Sequence, residues 1–336
     1  MDFLITIEHQ GQRLDKFLKE YLPEFSRAHL QRMVKDGQVT VNSKRITPHH
    51  FLRMGDEVEA VIEPPEDLRV VPNPEVQIVN CTPTPPYLPS GRGGKIVSPP
   101  LGGGVRGGLA WVLHEEPDFI VVNKPAGLVV HQGAGHKAPD TLVNGLLARY
   151  PELGKVGDDP IRPGIAHRLD ADVSGVMVIA RTQDMFDHLK KQFKMHEVEK
   201  EYVAAVNGAV IPPQGVIEFV VARKGARMVA RPKGGKGRQA VTEYETIPLP
   251  RWEGMKGRVT FLAIRTRTGR THQIRVHLKA IGHPIVGDTL YRSKSSKSSE
   301  TGKSSRLMLH ARKIAFKDLS GTRREFVCPE PEEFLL

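Results

Sequence analysis

Apolar positions at the start of the chain fall at helical spacing. In RLDKFLKEYL, Leu14, Phe17, Leu18 and Tyr21 occupy i, i+3, i+4 and i+7, one stripe of a helix that Pro23 ends. Ser26 is placed to cap a second helix, RAHLQRMVKD, with Leu30, Met33 and Val34 inward and Gly37 as its stop. The period then drops to two. Val39 and Val41 alternate in QVTVNSKRI, which turns at Asn42-Ser43, and Val58, Ala60 and Ile62 alternate in a closing strand. Two helices and a β-turn-β tail predict a small module over 1–73.

The pattern breaks at 81–110, where six Pro and eight Gly crowd into one stretch. Such a segment cannot bury enough apolar surface to offset its ordering entropy, so 74–110 reads as a disordered linker or insertion. From Trp111 the pattern is that of one α+β domain over 111–336. DFIVVNKP reads as a strand ending at a Lys-Pro turn, TLVNGLLARY as a helix, GVMVIART as a strand and QDMFDHLKKQF as an amphipathic helix. KEYVAAVNG is a further strand, VTEYETI and RVTFLAIRT pair as antiparallel strands, and HQIRVHLKAIG is a helix stopped by Gly282. Strands in succession favour a mixed, mainly antiparallel sheet flanked by helices over a doubly wound one.

Charge adds a partner class. The net charge of +11 is concentrated: 223–238 carries seven Lys and Arg with no acid, and 81–110 and 292–306 are also basic. These segments are rich in Gly, Pro or Ser and read as loops. Basic loops around a folded body suit a large polyanion, RNA or DNA first; solvated loops are the alternative. In the first module, Arg27, Arg32, Lys35, Lys44 and Arg45 face only Asp36 within 27–45, a plausible backbone-reading surface. MDFLITIEHQ has no basic n-region or apolar h-region and no apolar run reaches membrane length, so neither secretion nor a membrane partner is expected. Cys81 and Cys328 form no CxxC pair, which suits a reducing, cytoplasmic location.

Chemistry is concentrated in GIAHRLDADVSGVMVIART. His167, Arg168, Asp170 and Asp172 stand immediately before the apolar run Val176–Ala180. A carboxylate at the lip of a core is costly unless it is paired or used. Downstream, GRTHQIRVHL offers Arg270 and Arg275. A carboxylate held against a guanidinium stays ionised at neutral pH, fit for nucleophilic attack or proton abstraction; a structural ion pair is the alternative. Three other motifs carry less. TGKSS lacks the upstream Gly of a P-loop, DVSGV lacks the Gly of a nucleophile elbow, and His272, His277 and His283 lack the i, i+4 spacing of a helical zinc site. A glycosidase reading of Asp170 with Asp172 has no other feature behind it.

Taken in order, NKPAGLVVHQGAG, RPGIAHRLDADVSGVMVIAR, KEYVAAVNG and GRTHQIRVHLKAIGHPIVGDTLY resemble the blocks of the RluA family of pseudouridine synthases, which acts on large ribosomal RNA and tRNA. RLDKFL and SRAHLQRMVKDGQVTVNSK resemble the S4 RNA-binding domain. The likeness covers nearly everything except 74–110 and 292–306. It implies isomerisation of uridine in structured RNA, without cofactor or metal. By position, Asp170 takes the place of the family's nucleophile, Arg275 of the arginine paired with it, and Tyr202 of the tyrosine that stacks on the target base. Arg168 takes the place of the arginine that fills the helix where the uridine leaves. His167 and Arg270 beside them, with Arg13, Ser26, Arg27, Lys35 and Lys44 in the S4-like module, are the expected RNA contacts. The implied partner of a monomeric enzyme is ribosomal RNA, alone or in a pre-ribosomal large subunit. The alternatives are tRNA and a retired synthase fold that only binds RNA. Val173 stands where the family usually has Thr, and Gln132 replaces a common Pro.

Overall fold

The computed structural model describes residues 1–22, 25, 27–61, 70–80, 110–133, 136–248, 259–292 and 306–334. The readings placed on Pro23, Ser26, Ile62, 81–109 and 293–305 therefore lie outside the described residues. The chain forms two compact units, Met1–Val70 with Asp158–Pro163, and Val71–Gly157 with Gly164–Leu336.

The first unit contains β1 (Asp2–Leu4), α1 (Leu14–Tyr21), α2 (Arg27–Asp36), β2 (Val39–Val41), β3 (Lys44–Arg45) and β4 (Glu57–Ala60). The strands pair antiparallel in the order β1-β4-β2-β3. Leu14, Phe17, Leu18, Leu30, Met33, Val34, Val39, Val41, Val58 and Ala60 are buried together, so both helical stripes and the period-two strands meet in one core. Tyr21 departs from the stripe. It is 45% exposed, leaning its ring on Phe17 while its hydroxyl stays at the surface beside His9; an amphipathic ring at a helix end keeps its polar tip wet. Asn42 and Ser43 both take positive φ, as a two-residue hairpin turn requires.

In the second unit the elements are β5 (Ile78–Asn80), β6 (Ala110–Glu115), β7 (Phe119–Lys124), α3 (Leu142–Arg149), β8 (Ser174–Ala180), α4 (Gln183–Met195), β9 (Glu199–Asn207), β10 (Gln214–Lys224), β11 (Arg227–Arg231), β12 (Arg238–Thr246), β13 (Val259–Thr266), α5 (Gln273–Ala280), β14 (Leu309–Lys317) and β15 (Arg323–Val327). Among the described residues one sheet runs β11-β10-β12-β13-β9-β14-β8-β7-β6-β5, with β15 added beside β14. Only β5–β6 and β8–β14 are parallel. The fold is α+β with a mixed, mainly antiparallel sheet.

Two boundaries differ from the sequence reading. Residues 74–80 are not linker. Val76 is 2% exposed against α3, where a Cβ on Gly145 would lie 2.3 Å from the Val76 carbonyl, and β5 pairs with β6. The apolar alternation Val76-Ile78 builds an edge of the sheet despite its Pro-rich flank. Nor is 223–238 a loop throughout: half of it is strand, at 223–224, 227–231 and 238, with turns at 225–226 and 232–237. Lys224 pairs with Arg227 across Gly225-Ala226, and Gly225 supplies the positive φ of a tight hairpin. The charged side chains alternate along strands whose apolar partners, Val221 and Met228, face Val276 and Tyr291.

What positions the candidate site is the meeting of β8 with β14. All seven residues of β8 are buried. At Gly175 (φ +123) a Cβ would lie 2.2 Å from the Ala311 carbonyl, so only glycine admits this approach. The loop that carries Asp170 enters β8 at this point.

Candidate active site

Asp170 closes a turn in which its carbonyl accepts the Val173 N–H at 3.1 Å. The next carbonyl, Ala171, accepts the Gly127 N–H at 2.9 Å and Lys124 Nζ at 2.9 Å. Lys124 is fully buried and also donates to the Pro125 and Leu128 carbonyls at 2.8 Å each. Burial pushes its pKa down to about 7, against the pull of Asp170. The Lys-Pro turn after β7 thus pins the loop from beneath. On its other side, Ser174 Oγ accepts from Arg306 at 2.5 Å; His310 Nε2 donates to the Cys328 carbonyl at 3.3 Å, so its Nδ1 accepts the Ser174 hydroxyl at 2.8 Å.

A cavity of about 150 Å³ opens over this loop, lined by Arg168, Asp170, Val173, Tyr202, His272 and Arg275 among others. Arg275 projects from α5 and is almost wholly buried. Its Nε and Nη2 grip Asp288 at 2.8 and 2.9 Å, while Nη1 stands 3.5 Å from Asp170 Oδ2. Asp288 also accepts the N–H groups of Leu290 and Tyr291 at 2.9 Å each. Burial acts to raise the Asp288 pKa, but Arg275 and these N–H bonds outweigh it and hold the carboxyl below the usual range. Among the described residues no side chain hydrogen-bonds the Asp170 carboxylate. It lies near a cation with its lone pairs unspent.

Tyr202 on β9 faces the same cavity, its hydroxyl bonded to Thr266 and its pKa pushed up to about 12 by burial and by the Asp170 charge. The phenol stays protonated, and its ring is a flat apolar wall. Arg168 is exposed at the rim, its Nη1 3.5 Å from His131 Nε2. His131 points its other nitrogen at the Gln132 carbonyl (2.7 Å), and the Gln132 amide reaches the Lys137 carbonyl (2.7 Å). Val173 is buried and lines the cavity without the hydroxyl a Thr would bring.

His167 is not brought to the cavity. Its ring stacks on Phe193 at 4.6 Å, its Nε2 accepts the Val178 N–H at 3.1 Å, and burial pushes its pKa down to about 3. That makes it a packing residue that ties the approach to β8. Arg270 is held by its Nε to the Gln239 carbonyl at 3.2 Å. It belongs both to the cavity and to an adjoining groove of about 640 Å³, which Arg223, Arg231, Lys236 and Arg238 also line. Lys233 is paired with Glu218 at 3.2 Å.

In the first unit, Arg13 and Arg27 converge on the fully buried Asp15, with Nη2 of each 2.9 Å from Oδ2, and Gln31 donates to the same oxygen at 2.6 Å. Burial works to raise the Asp15 pKa, yet these donors keep it lowered. Both guanidiniums remain partly exposed. Lys35 and Lys44 are exposed on α2 and β3.

Three residues of the second unit escaped the sequence reading. Lys124 reads from sequence as the end of a strand, Asp288 has no reading of its own within GRTHQIRVHLKAIGHPIVGDTLY, and His272 is weighed only as a metal ligand. For Asp288 the sequence offers only its place after Ile285-Val286-Gly287; the need for a partner comes from its burial, which leaves it 3% exposed.

Comparison with known proteins agrees with this architecture. The sequence profile described as RNA pseudouridylate synthase matches residues 118–280, and that of the S4 domain matches 12–58. An uncharacterized RNA pseudouridine synthase of Aquifex aeolicus is 37% identical over 86% of this chain and 80% of its own. A ribosomal large subunit pseudouridine synthase D of Neisseria meningitidis is 33% identical over 98% of this chain and 78% of its own. Among solved structures, human RNA pseudouridylate synthase domain containing 1 superposes with a TM-score of 0.52 at 25% identity, covering 66% of this chain and 83% of that one. The chain belongs to the RNA pseudouridylate synthase family, an RNA isomerase with an S4 domain ahead of its catalytic unit.

Proposed function

We propose that the protein converts uridine to pseudouridine in large-subunit ribosomal RNA, with Asp170 as nucleophile on a base flipped into the cavity. The observation that carries this reading is the Asp170 carboxylate. It faces a cavity beside a fixed guanidinium and a protonated tyrosine ring, yet it accepts no side-chain hydrogen bond among the described residues. A nucleophile needs a charged, oriented oxygen whose lone pairs are available.

A base inside a stem has to leave the stack before a carboxylate can reach it. The Tyr202 face would receive it, and Arg168 at the rim is placed to fill the gap with a planar guanidinium. In the reaction an Asp170 oxygen bonds to C1′ as the N1–C1′ bond breaks, and uracil turns in place. The C5–C1′ bond then forms as the Asp170–C1′ bond breaks and frees the carboxylate, and the proton on C5 leaves while N1 gains one. Atoms balance without an oxidant. The choice of ribosomal RNA rests on the relatives named for it, and the basic groove beside Arg270 offers the flanking strand a cationic track.

The test is tritium release from large-subunit ribosomal RNA transcripts labelled at uracil C5, with wild type beside Asp170→Asn and tRNA transcripts in parallel. Release from ribosomal RNA by wild type alone supports both halves of the reading. Release from tRNA only would move the substrate, and release by Asp170→Asn would remove the nucleophile.

A further inference from the structure

His272 occupies a strained position without serving the helix it begins. It is the residue before α5, with φ +55, the left-handed region that non-glycine residues seldom enter, and its side chain makes no capping bond to that helix. Strain of this kind persists where the surrounding structure holds it, and it clusters at functional sites. The ring is held from behind: Nδ1 is 2.7 Å from the Tyr291 hydroxyl. In front, Nε2 is 3.8 Å from Asp170 Oδ2.

The hydrogen bonds around Tyr291 favour one tautomer of His272. The Tyr291 oxygen accepts the Met228 N–H at 3.1 Å and burial keeps the phenol protonated, which leaves its O–H to donate to His272 Nδ1. The imidazole is then neutral, with its hydrogen on Nε2, facing Asp170. Charged groups around it are Asp170 in the catalytic loop, Arg275 on its own helix, Asp288 beyond that helix and Arg168 at the rim. Burial lowers the His272 pKa first of all, and Arg275 and Arg168 add to that while the two aspartates oppose it.

We propose that His272 is a positioning residue for the isomerisation: a neutral Nε2–H donor, locked by Tyr291, that orients the Asp170 carboxylate together with Arg275, both facing Oδ2. The inference rests on Asp170 being the nucleophile. The separation is longer than a hydrogen bond, and such separations shorten when substrate excludes water. Neutrality is the point. An imidazolium there would place a second cation beside Asp170 and stabilise the carboxylate against attack. Protonation of His272 should therefore switch the site down at acid pH.

Three variants and one spectrum test it. His272→Phe should lower single-turnover tritium release at all pH values, by up to about 100-fold as for a misplaced reacting group. His272→Gln restores an N–H donor that cannot titrate, so it should recover most of the neutral-pH rate and lose one ionisation from the acid limb. Tyr291→Phe removes the lock and should move that limb to higher pH. In wild type, nitrogen NMR should report the His272 tautomer with hydrogen on Nε2, a reading that needs neither activity nor RNA. A histidine protonated on Nδ1, or a His272→Gln acid limb identical to wild type, overturns the proposal. If Asp170→Asn keeps activity, the nucleophile assignment falls instead, and the two failures are told apart.

Discussion

Arg275 is committed to Asp288 and only approaches Asp170. Two of its nitrogens lie 2.8 and 2.9 Å from Asp288, and the third stands 3.5 Å from Asp170. With Tyr291 beneath its guanidinium at 5.1 Å, the arginine is clamped on two sides. The clamp supplies positive charge to Asp170 without occupying its oxygens.

Asp288→Asn should undo that arrangement. The freed guanidinium would turn to Asp170 and tie up the attacking oxygens, so the rate of tritium release should fall by roughly 100-fold with RNA affinity little changed. Removing one partner of a buried pair should also destabilise the fold by about 3 kcal/mol, read from urea denaturation. Because the Asp288 pKa is lowered in the folded state, its contribution is present at neutral pH and lost as pH falls from the ordinary carboxylate range through that depressed value. A variant with wild-type rate would show that the clamp is structural only.

Lys124→Met tests the floor of the loop. The ammonium satisfies three carbonyls at 2.8, 2.8 and 2.9 Å; methionine would strand those of Pro125 and Leu128 and leave Ala171 with only the Gly127 N–H. A loss of roughly 3 kcal/mol is expected, the scale for stranding buried acceptors. Since one of the three is the Ala171 carbonyl, activity at a temperature where the variant is still folded should fall as well. Normal activity with lowered thermal stability would separate folding from loop positioning.

Local pattern was enough for most of the fold. Leu14, Phe17 and Leu18, or Val39 and Val41, declare their element by period alone, and all are buried. Two signals hid the rest. The glycines and bases of 223–238 mask an alternation that packs Val221 and Met228 inward, and the Pro-rich stretch beyond Asn80 obscures β5. In the site, Asp170, Tyr202 and Arg275 could be named from motif blocks, but their division of labour could not. That Arg275 is bound by Asp288, 13 positions along, depends on the chain returning after α5. His167 looked like a surface ligand for the same reason: its partners, Phe193 and Val178, are fixed only by tertiary packing.

Three histidines make stability depend on pH in a separate window. Burial pushes His167 and His310 down to about 3 and His277 down to about 4. His277 is fully buried, and neither ring nitrogen has a partner among the described residues. The unfolded chain takes up protons below about 6.5, while the folded chain refuses them down to those lowered values. Stability should therefore be flat above that pH and fall as pH drops toward 4. The melting temperature should be lower at pH 5 than at pH 7.5. His277→Leu should flatten the fall at little cost near neutrality, since it removes two unpaired nitrogens. Equal melting temperatures at both pH values would contradict the account.

The basic arm should act on binding and leave the chemical step alone. Arg223, Arg231, Lys236 and Arg238 line the groove that adjoins the cavity through Gly269, Arg270 and Thr271, and among the described residues none of the four hydrogen-bonds Asp170 or Arg275. Replacing them with Gln removes charge while keeping length and polarity. For every phosphate that the variant no longer neutralises, the slope of log affinity against log salt should become shallower by about 0.7 for single-stranded RNA. A fourfold variant should therefore show a visibly flatter line and weaker binding at low salt. Single-turnover release at saturating RNA should stay within a few-fold of wild type, because Asp170, Tyr202 and Arg275 are untouched. The design separates two roles for Arg270, which touches both spaces. If Arg270→Gln flattens the salt line without slowing the saturated rate, it belongs to the track; if it slows the saturated rate, it belongs to the cavity. An unchanged salt line in the fourfold variant would mean that the RNA runs elsewhere.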